Sequence, residues 1–251
     1  MPLTIEISEA AGVRSLHFGS DWVQGAMRIA RPWALELDYT REMMASLLLR
    51  PESGWPRRAL LIGLGAGSLT KFLYRHRPRA KLTVVEIDAA VVAAARQFFK
   101  LPDDPLRIHI EIGDGADYMT RAKPVFDLIL VDGFDADARS GRLDTLPFYL
   151  SCRARLSDEG LLAVNLLSRR KDFRHSVERL QQAFDGRTLT FPFCDSGNAI
   201  IFAAAGEPID LTLAELKTSA LALKNETGLN LLPTLVRLQQ ARTCAEGRLA
   251  L

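Results

Sequence analysis

The segment Gly63-Leu64-Gly65-Ala66-Gly67-Ser68 narrows the fold more than any other stretch of this sequence. It follows directly on Ala59-Leu60-Leu61-Ile62, a continuous apolar run of the kind carried by a strand covered on both faces. It opens a helix that carries Leu69, Phe72 and Leu73 on one side. Glycines placed between a buried strand and an amphipathic helix let the chain turn sharply and let a ligand approach the backbone. The spacing is GxGxG, with Ser68 where a dinucleotide fold carries its third glycine. Gly63, Gly65 and Gly67 are therefore expected to cradle a nucleoside that lacks a pyrophosphate.

The pattern of apolar strand, turn and helix then repeats. Leu82-Thr83-Val84-Val85 reads as a second strand, and Asp88 caps a helix that runs through Phe99. Strands are expected at 107–112, 128–131 and 161–166, with helices at 148–156 and along Phe173, Val177, Leu180 and Phe184. Between the runs 188–193 and 199–204 only residues 194–198 remain, too few for a crossover helix, so these two strands must be antiparallel. The expectation is an α/β protein with a doubly wound, mostly parallel Rossmann-like methyltransferase sheet that ends in an antiparallel hairpin. Upstream, Leu16-His17-Phe18 and Ala26-Met27-Arg28-Ile29 read as a small hairpin joined through Gly19-Ser20-Asp21. A helix is expected from Thr40 to Arg50, capped by Thr40 or Asp38 and stopped by Pro51. Three stretches result: 1–55, a small N-terminal β-hairpin region plus helix; 56–206, the nucleoside-binding catalytic domain; and 207–251, a helical extension with Leu231, Leu235 and Leu238 in one stripe.

Carboxylates stand at the expected strand ends, where open α/β sheets form their ligand crevice. Glu86 lies 19 positions after Gly67, directly after the second strand, and can accept both hydroxyls of a ribose; its alternative is a solvated strand end. Asp114, in Gly113-Asp114-Gly115, can accept the exocyclic amine of adenine or cap the helix that follows. Asp132 and Asp135, in Asp132-Gly133-Phe134-Asp135, can hold a cation, act as base and anchor, or stabilise a turn.

Other classes recede on composition. A formal charge of +2 on 251 residues, with only short arginine runs, argues against a nucleic-acid partner. Cys152, Cys194 and Cys244 are scattered, and His17, His76, His109 and His175 show no ligand spacing, so neither a disulfide framework nor a metal is expected. With no apolar run of about 20 residues and no signal-like start, no membrane partner is expected and the cytoplasm is the expected compartment.

Together, Gly63-Leu64-Gly65-Ala66-Gly67, Val85-Glu86-Ile87-Asp88, Gly113-Asp114-Gly115 and Val131-Asp132-Gly133-Phe134-Asp135 resemble the spermidine synthase (polyamine aminopropyltransferase) family. The resemblance implies transfer of an aminopropyl group from decarboxylated S-adenosylmethionine to a diamine such as putrescine, and a homodimer. It implies ribose on Glu86, adenine by Asp114 and Gly115, Asp132 as the catalytic base and Asp135 as the diamine anchor. Gln24 and Tyr39 would face the same pocket. Three departures stand out. Ala66 replaces the family's loop aspartate, which disfavours the carboxylate of intact S-adenosylmethionine. Residues 136–142 replace a proline-containing gate and add Arg139 and Arg142, and Thr40-Arg41-Glu42 replaces a histidine-glutamate pair. Two further readings stay open: an S-adenosylmethionine-dependent methyltransferase, and a nucleoside-binding protein without catalysis.

Overall fold

The structure, a computed structural model, describes residues 4–20, 22–134, 140–193, 197–241, 243, 244 and 246–251. An antiparallel sheet of β1 (Ile5–Ala10), β2 (Val13–Phe18) and β3 (Val23–Arg28) comes first. The expected hairpin is thus one strand short. In β1 only Ile5 and Ile7 pack inward, and the remaining positions are mostly exposed, so the strand carries little apolar signal. Ala11 and Gly12, with φ of 49° and 74°, make the two-residue reversal that joins it to β2.

The single helix expected from Thr40 to Arg50 is two short ones, α1 (Asp38–Met43) and α2 (Ser46–Leu49). Leu37 occupies the cap position, and the Thr40 hydroxyl donates back to the Leu37 carbonyl at 2.6 Å. Met43, Met44, Leu47, Leu48 and Leu49 are all buried. A segment apolar on every side follows the cavity it fills and need not remain one regular helix.

The alternating part runs β4 (Arg58–Ile62), α3 (Ser68–His76), β5 (Lys81–Glu86), α4 (Ala89–Phe99), β6 (Ile108–Ile112), α5 (Gly115–Arg121) and β7 (Phe126–Val131). A 3-10 turn (Gly141–Leu143) precedes α6 (Leu146–Arg153), β8 (Leu156–Leu167), α7 (Phe173–Ala183), β9 (Thr188–Thr190) and β10 (Asn198–Ala204). Residues 157–160, between the helix expected at 148–156 and the strand expected at 161–166, are an irregular stretch of β8, with a register shift against β7. The sheet order is β6-β5-β4-β7-β8-β10-β9, parallel except that β10 runs against both of its neighbours.

Successive strand residues serve opposite cores, as the pleat dictates. Ala59, Leu61, Leu128, Leu130, Leu161 and Ala163 face one apolar cluster, while Leu60, Ile62, Ile129, Val131, Leu162 and Val164 face the other. The first core is covered by α1 to α4 and by the tail, the second by α5, α6 and α7. The tail comprises β11 (Asp210–Thr212), α8 (Leu213–Thr227), α9 (Leu232–Gln240) and β12 (Arg248–Ala250), so it adds a two-stranded sheet to the expected helices. Leu231, Leu235 and Leu238 are buried in the chain's own core. Arg237 of α9 forms an ion pair with Glu42 of α1, which is itself only 2% exposed. Among the described residues no helix is long and apolar enough to cross a membrane.

Beside the glycine loop, α3 carries a buried lysine, Lys71, whose ammonium donates to the Phe99 carbonyl at the end of α4 at 2.8 Å. Burial, with Lys100 nearby, lowers its pKa to about 8. Between that value and the roughly 10.4 of an unfolded lysine, the unfolded chain holds more protons, so this group's contribution to stability rises with pH. Lys71→Met removes that dependence. The denaturation free energy of the variant relative to the parent is expected to shift by about 2–3 kcal/mol in the parent's favour between about pH 7 and pH 10. A pH-independent difference would show that the buried ammonium carries no such penalty.

Candidate active site

Gly63 leaves the end of β4 with φ of 93°, and its α-carbon lies directly against β7: an added Cβ would come within 2.2 Å of the Asp132 carbonyl oxygen. Only glycine satisfies both conditions. On the other side, β3 crosses the loop so tightly that a Cβ on Gly25 would lie 2.7 Å from the Ala66 Cβ and 2.8 Å from its backbone nitrogen. The Ser68 hydroxyl donates to the Ala26 carbonyl at 3.3 Å. Ala66 is only 3% exposed and packs with Leu16, Met27 and Phe99, so this position joins the glycine loop to the N-terminal sheet.

The resulting cavity of about 760 Å³ opens at the carboxyl ends of β4, β5, β6 and β7. Every described candidate residue lines it except Gly67: Gln24, Tyr39, Gly63, Gly65, Glu86, Asp114, Gly115 and Asp132. Gly67 begins α3 behind the loop, against Leu101 and Leu64. Asp135 lies outside the described residues.

Glu86 is 7% exposed and braces the strand tips. One carboxylate oxygen accepts the Leu64 N–H at 2.8 Å and the other accepts the Asp88 N–H at 3.1 Å. Burial raises its pKa, and the backbone N–H groups of Leu64, Asp88 and Ile87 oppose that shift. A carboxylate has about four lone-pair sites, so acceptor capacity remains beyond these backbone N–H groups. Asp114 performs the capping task that the sequence allowed. Its Oδ1 accepts from Ala116 and Asp117 N–H at 2.7 and 3.0 Å, and its Oδ2 lies 3.2 Å from Arg142. Arg142 is shared with Asp117, at 2.6 Å.

Asp132 is partly open to the cavity and otherwise surrounded by protein. Enclosure raises its pKa, while hydrogen bonds from Asn165 and Tyr39 lower it. Asn165 donates at 2.8 Å to Oδ1, and in turn accepts from Asn198 at 2.9 Å. The Tyr39 phenol is held well above its ordinary pKa by burial and by the neighbouring Asp132 charge, so it stays a neutral donor. Among the described residues no cationic side chain forms an ion pair with Asp132.

Asn165 and Asn198 were missed by sequence reasoning. The available signal was a single amide inside the apolar run Leu161-Leu162-Ala163-Val164-Asn165-Leu166-Leu167. It becomes meaningful only through register: Val131 pairs with Val164, which sets positions 132 and 165 side by side.

A glycine loop after the first parallel strand, acids at the next strand tips and an antiparallel β10 define a transferase on the Rossmann-like methyltransferase fold. The family described as spermine/spermidine synthase domain matches residues 37–192. A polyamine aminopropyltransferase of Chromobacterium violaceum is 36% identical over 98% of this chain and 93% of its own length. One from Neisseria meningitidis serogroup A is 37% identical over 90% of this chain and 85% of its own. A solved spermidine synthase, in complex with the transition-state analogue AdoDATO, has a TM-score of 0.57 at 26% identity, covering 80% of this chain and 74% of that one. The chain belongs to the spermine/spermidine synthase family.

If Glu86 braces the loop as described, Glu86→Leu leaves two N–H groups without acceptors and is expected to cost about 2–4 kcal/mol in urea denaturation. Glu86→Gln keeps one accepting oxygen and should cost less. Equal stability of Glu86→Leu and the parent would remove the brace.

Proposed function

We propose that this protein transfers an aminopropyl group from decarboxylated S-adenosylmethionine to a diamine such as putrescine, releasing methylthioadenosine. The observation that carries the reading is Asp132, a carboxylate inside an acid-walled cavity that among the described residues is held by the neutral donors Asn165 and Tyr39. Glu36, Asp38, Glu86, Asp88, Asp114 and Asp132 line the cavity, against Arg142 as the single cation among the described lining residues. Arg142 is already divided between Asp114 and Asp117. Such a wall attracts amines and sulfonium centres and repels carboxylates.

The cosubstrate fits the residues present. The volume lies within the range of roughly 300–1,000 Å³ usual for small-molecule sites. The backbone of Gly63 and Gly65 is bare, Glu86 keeps acceptor sites for ribose hydroxyls, and Asp114 and Gly115 stand where adenine would lie. Gln24 and Tyr39 line the cavity on the side of β3 and α1. The cosubstrate supplies an alkyl carbon activated by a sulfonium leaving group.

This chain's residues supply position and a proton acceptor. An alkyl ammonium has an unperturbed pKa near 10.4, as lysine does, and cannot attack while protonated. Enclosure lowers an amine's pKa and raises that of Asp132, so the gap between donor and acceptor narrows inside the site. Asp132 takes the amine proton as the nitrogen closes on the carbon and the carbon–sulfur bond breaks. The remaining advantage is orientation of two bound reactants. Asp135 is proposed as the anchor for the far amine.

Ala66 favours a second reading, methyl transfer from intact S-adenosylmethionine, because this loop lacks an acid that would repel the methionine carboxylate. Two like charges about 4 Å apart at an effective dielectric near 20 repel by roughly 4 kcal/mol. The other acids of the wall oppose that carboxylate even without one at position 66, which supports the aminopropyl reading.

Calorimetric titration with S-adenosylmethionine, its decarboxylated form and methylthioadenosine, followed by putrescine, separates the readings. The decarboxylated form is expected to bind more tightly than the intact one and to give a product on diamine addition. Asp132→Asn should lower turnover about 10²–10⁴-fold while keeping methylthioadenosine affinity. Preference for the intact compound with no response to diamines would transfer the assignment to methyl transfer, and undiminished Asp132→Asn turnover would remove the base.

A further inference from the structure

The chain Asn198, Asn165, Asp132, Tyr39 crosses three neighbouring strand ends and the helix that covers them. Asp132 follows β7, Asn165 lies in β8 and Asn198 opens β10. All three fall on the sheet face that carries Leu130, Ala163 and Ile200, the face packed by α1. Asn165 is 3% exposed and Asn198 is 8% exposed. Neither touches the solvent enough to be explained as a surface residue, and a buried amide costs stability unless its donors and acceptor are used.

An amide has one accepting end and one donating end. Asn198 donates to the Asn165 oxygen at 2.9 Å, so the Asn165 NH₂ group is left facing Asp132 and meets Oδ1 at 2.8 Å. Were Asn165 turned over, its oxygen would face the Asp132 carboxylate and its NH₂ group would face the Asn198 NH₂ group. Asp132, which can only accept, and Asn198, which donates, therefore hold Asn165 in one sense from its two ends, and Asn165 ties down one oxygen of the carboxylate. We propose that Asn165, oriented by Asn198, is a positioning residue that fixes the Asp132 carboxylate for proton transfer from the attacking amine. This rests on the reading of Asp132 as the base.

The choice of an amide has a chemical reason. A lysine or arginine at the same place would also steady the carboxylate, yet it would neutralise it and repel the incoming ammonium. Asn165 stabilises the ionised form by a charge-assisted hydrogen bond and adds no positive charge. Among the described residues, the titratable groups that share the cavity with Asp132 include Tyr39 from α1, Glu86 and Asp114 at the neighbouring strand tips, and Arg142 on the 3-10 turn. Of these only Tyr39 shares the direct hydrogen bond to Asp132 with Asn165.

The test is the pH dependence of single-turnover aminopropyl transfer in the full chain, with methylthioadenosine affinity and thermal stability as controls. Loss of one hydrogen bond to a charged group corresponds to about one to two pH units. Asn165→Ala is therefore expected to move the acidic limb of the rate upward by about that amount. It should lower the rate near neutral pH about 10- to 100-fold, with methylthioadenosine affinity unchanged. Asn198→Val, which removes the donor that holds the Asn165 oxygen, should move the limb in the same direction by less, and Asn198→Ser, which keeps a donor, should recover part of it. Asn198→Val serves if Asn165→Ala does not fold. An unmoved acidic limb in folded Asn165→Ala or Asn198→Val, alongside an inactive Asp132→Asn, overturns the positioning role and leaves the proposed base intact. An active Asp132→Asn instead overturns the base itself.

Discussion

The glycine loop touches main chain on one side and a second strand on the other, with no room for a side chain on Gly63 or on Gly25. Gly63 lies against the Asp132 carbonyl, and Gly25 lies against Ala66. These contacts hold β4, β7 and β3 around one space. The candidate base, the ligand cradle and the N-terminal wall are thereby fixed by backbone geometry before any side chain contributes. The long-range register of the sheet does the rest, because parallel pairing of β4 with β5 and β7 brings the tips of three strands level.

The carboxylates at those tips are not equivalent. Glu86 and Asp114 are engaged by backbone N–H groups, which makes them part of the scaffold as well as of the cavity wall. Asp132 is held by an amide and a phenol. Neutral donors leave its charge available, and surrounding protein raises its basicity. Burial raises the pKa of Glu86 and of Asp132 alike; what differs is the donor set, backbone N–H groups for the first and side chains for the second.

Much of this was legible in the sequence, and the physical reason is burial. Strands β4, β5 and β7 are covered on both faces, so they are written as apolar runs, unbroken at 59–62 and 128–131 and interrupted only by Thr83 at 82–85, and the glycine loop and the acids follow them. β1 was not legible, because an edge strand that is largely exposed carries no such run. The break between α1 and α2 was hidden by the reverse condition: with every side buried, Met43 to Leu49 show no face to read. Asn165 and Asn198 are single polar letters in apolar strands, and their meaning depends on which strands become neighbours. Asp135 was singled out from spacing and lies outside the described residues.

The ion pair between Glu42 and Arg237 joins the last long helix to the short helix that bears Tyr39. Arg237 also donates to the Phe193 carbonyl at 3.0 Å, so it grips the chain just after β9. The tail is consequently a buttress for the wall of the candidate site: shortening the protein from its carboxyl end would loosen the phenol's hold on the proposed base, some two hundred positions earlier in the chain.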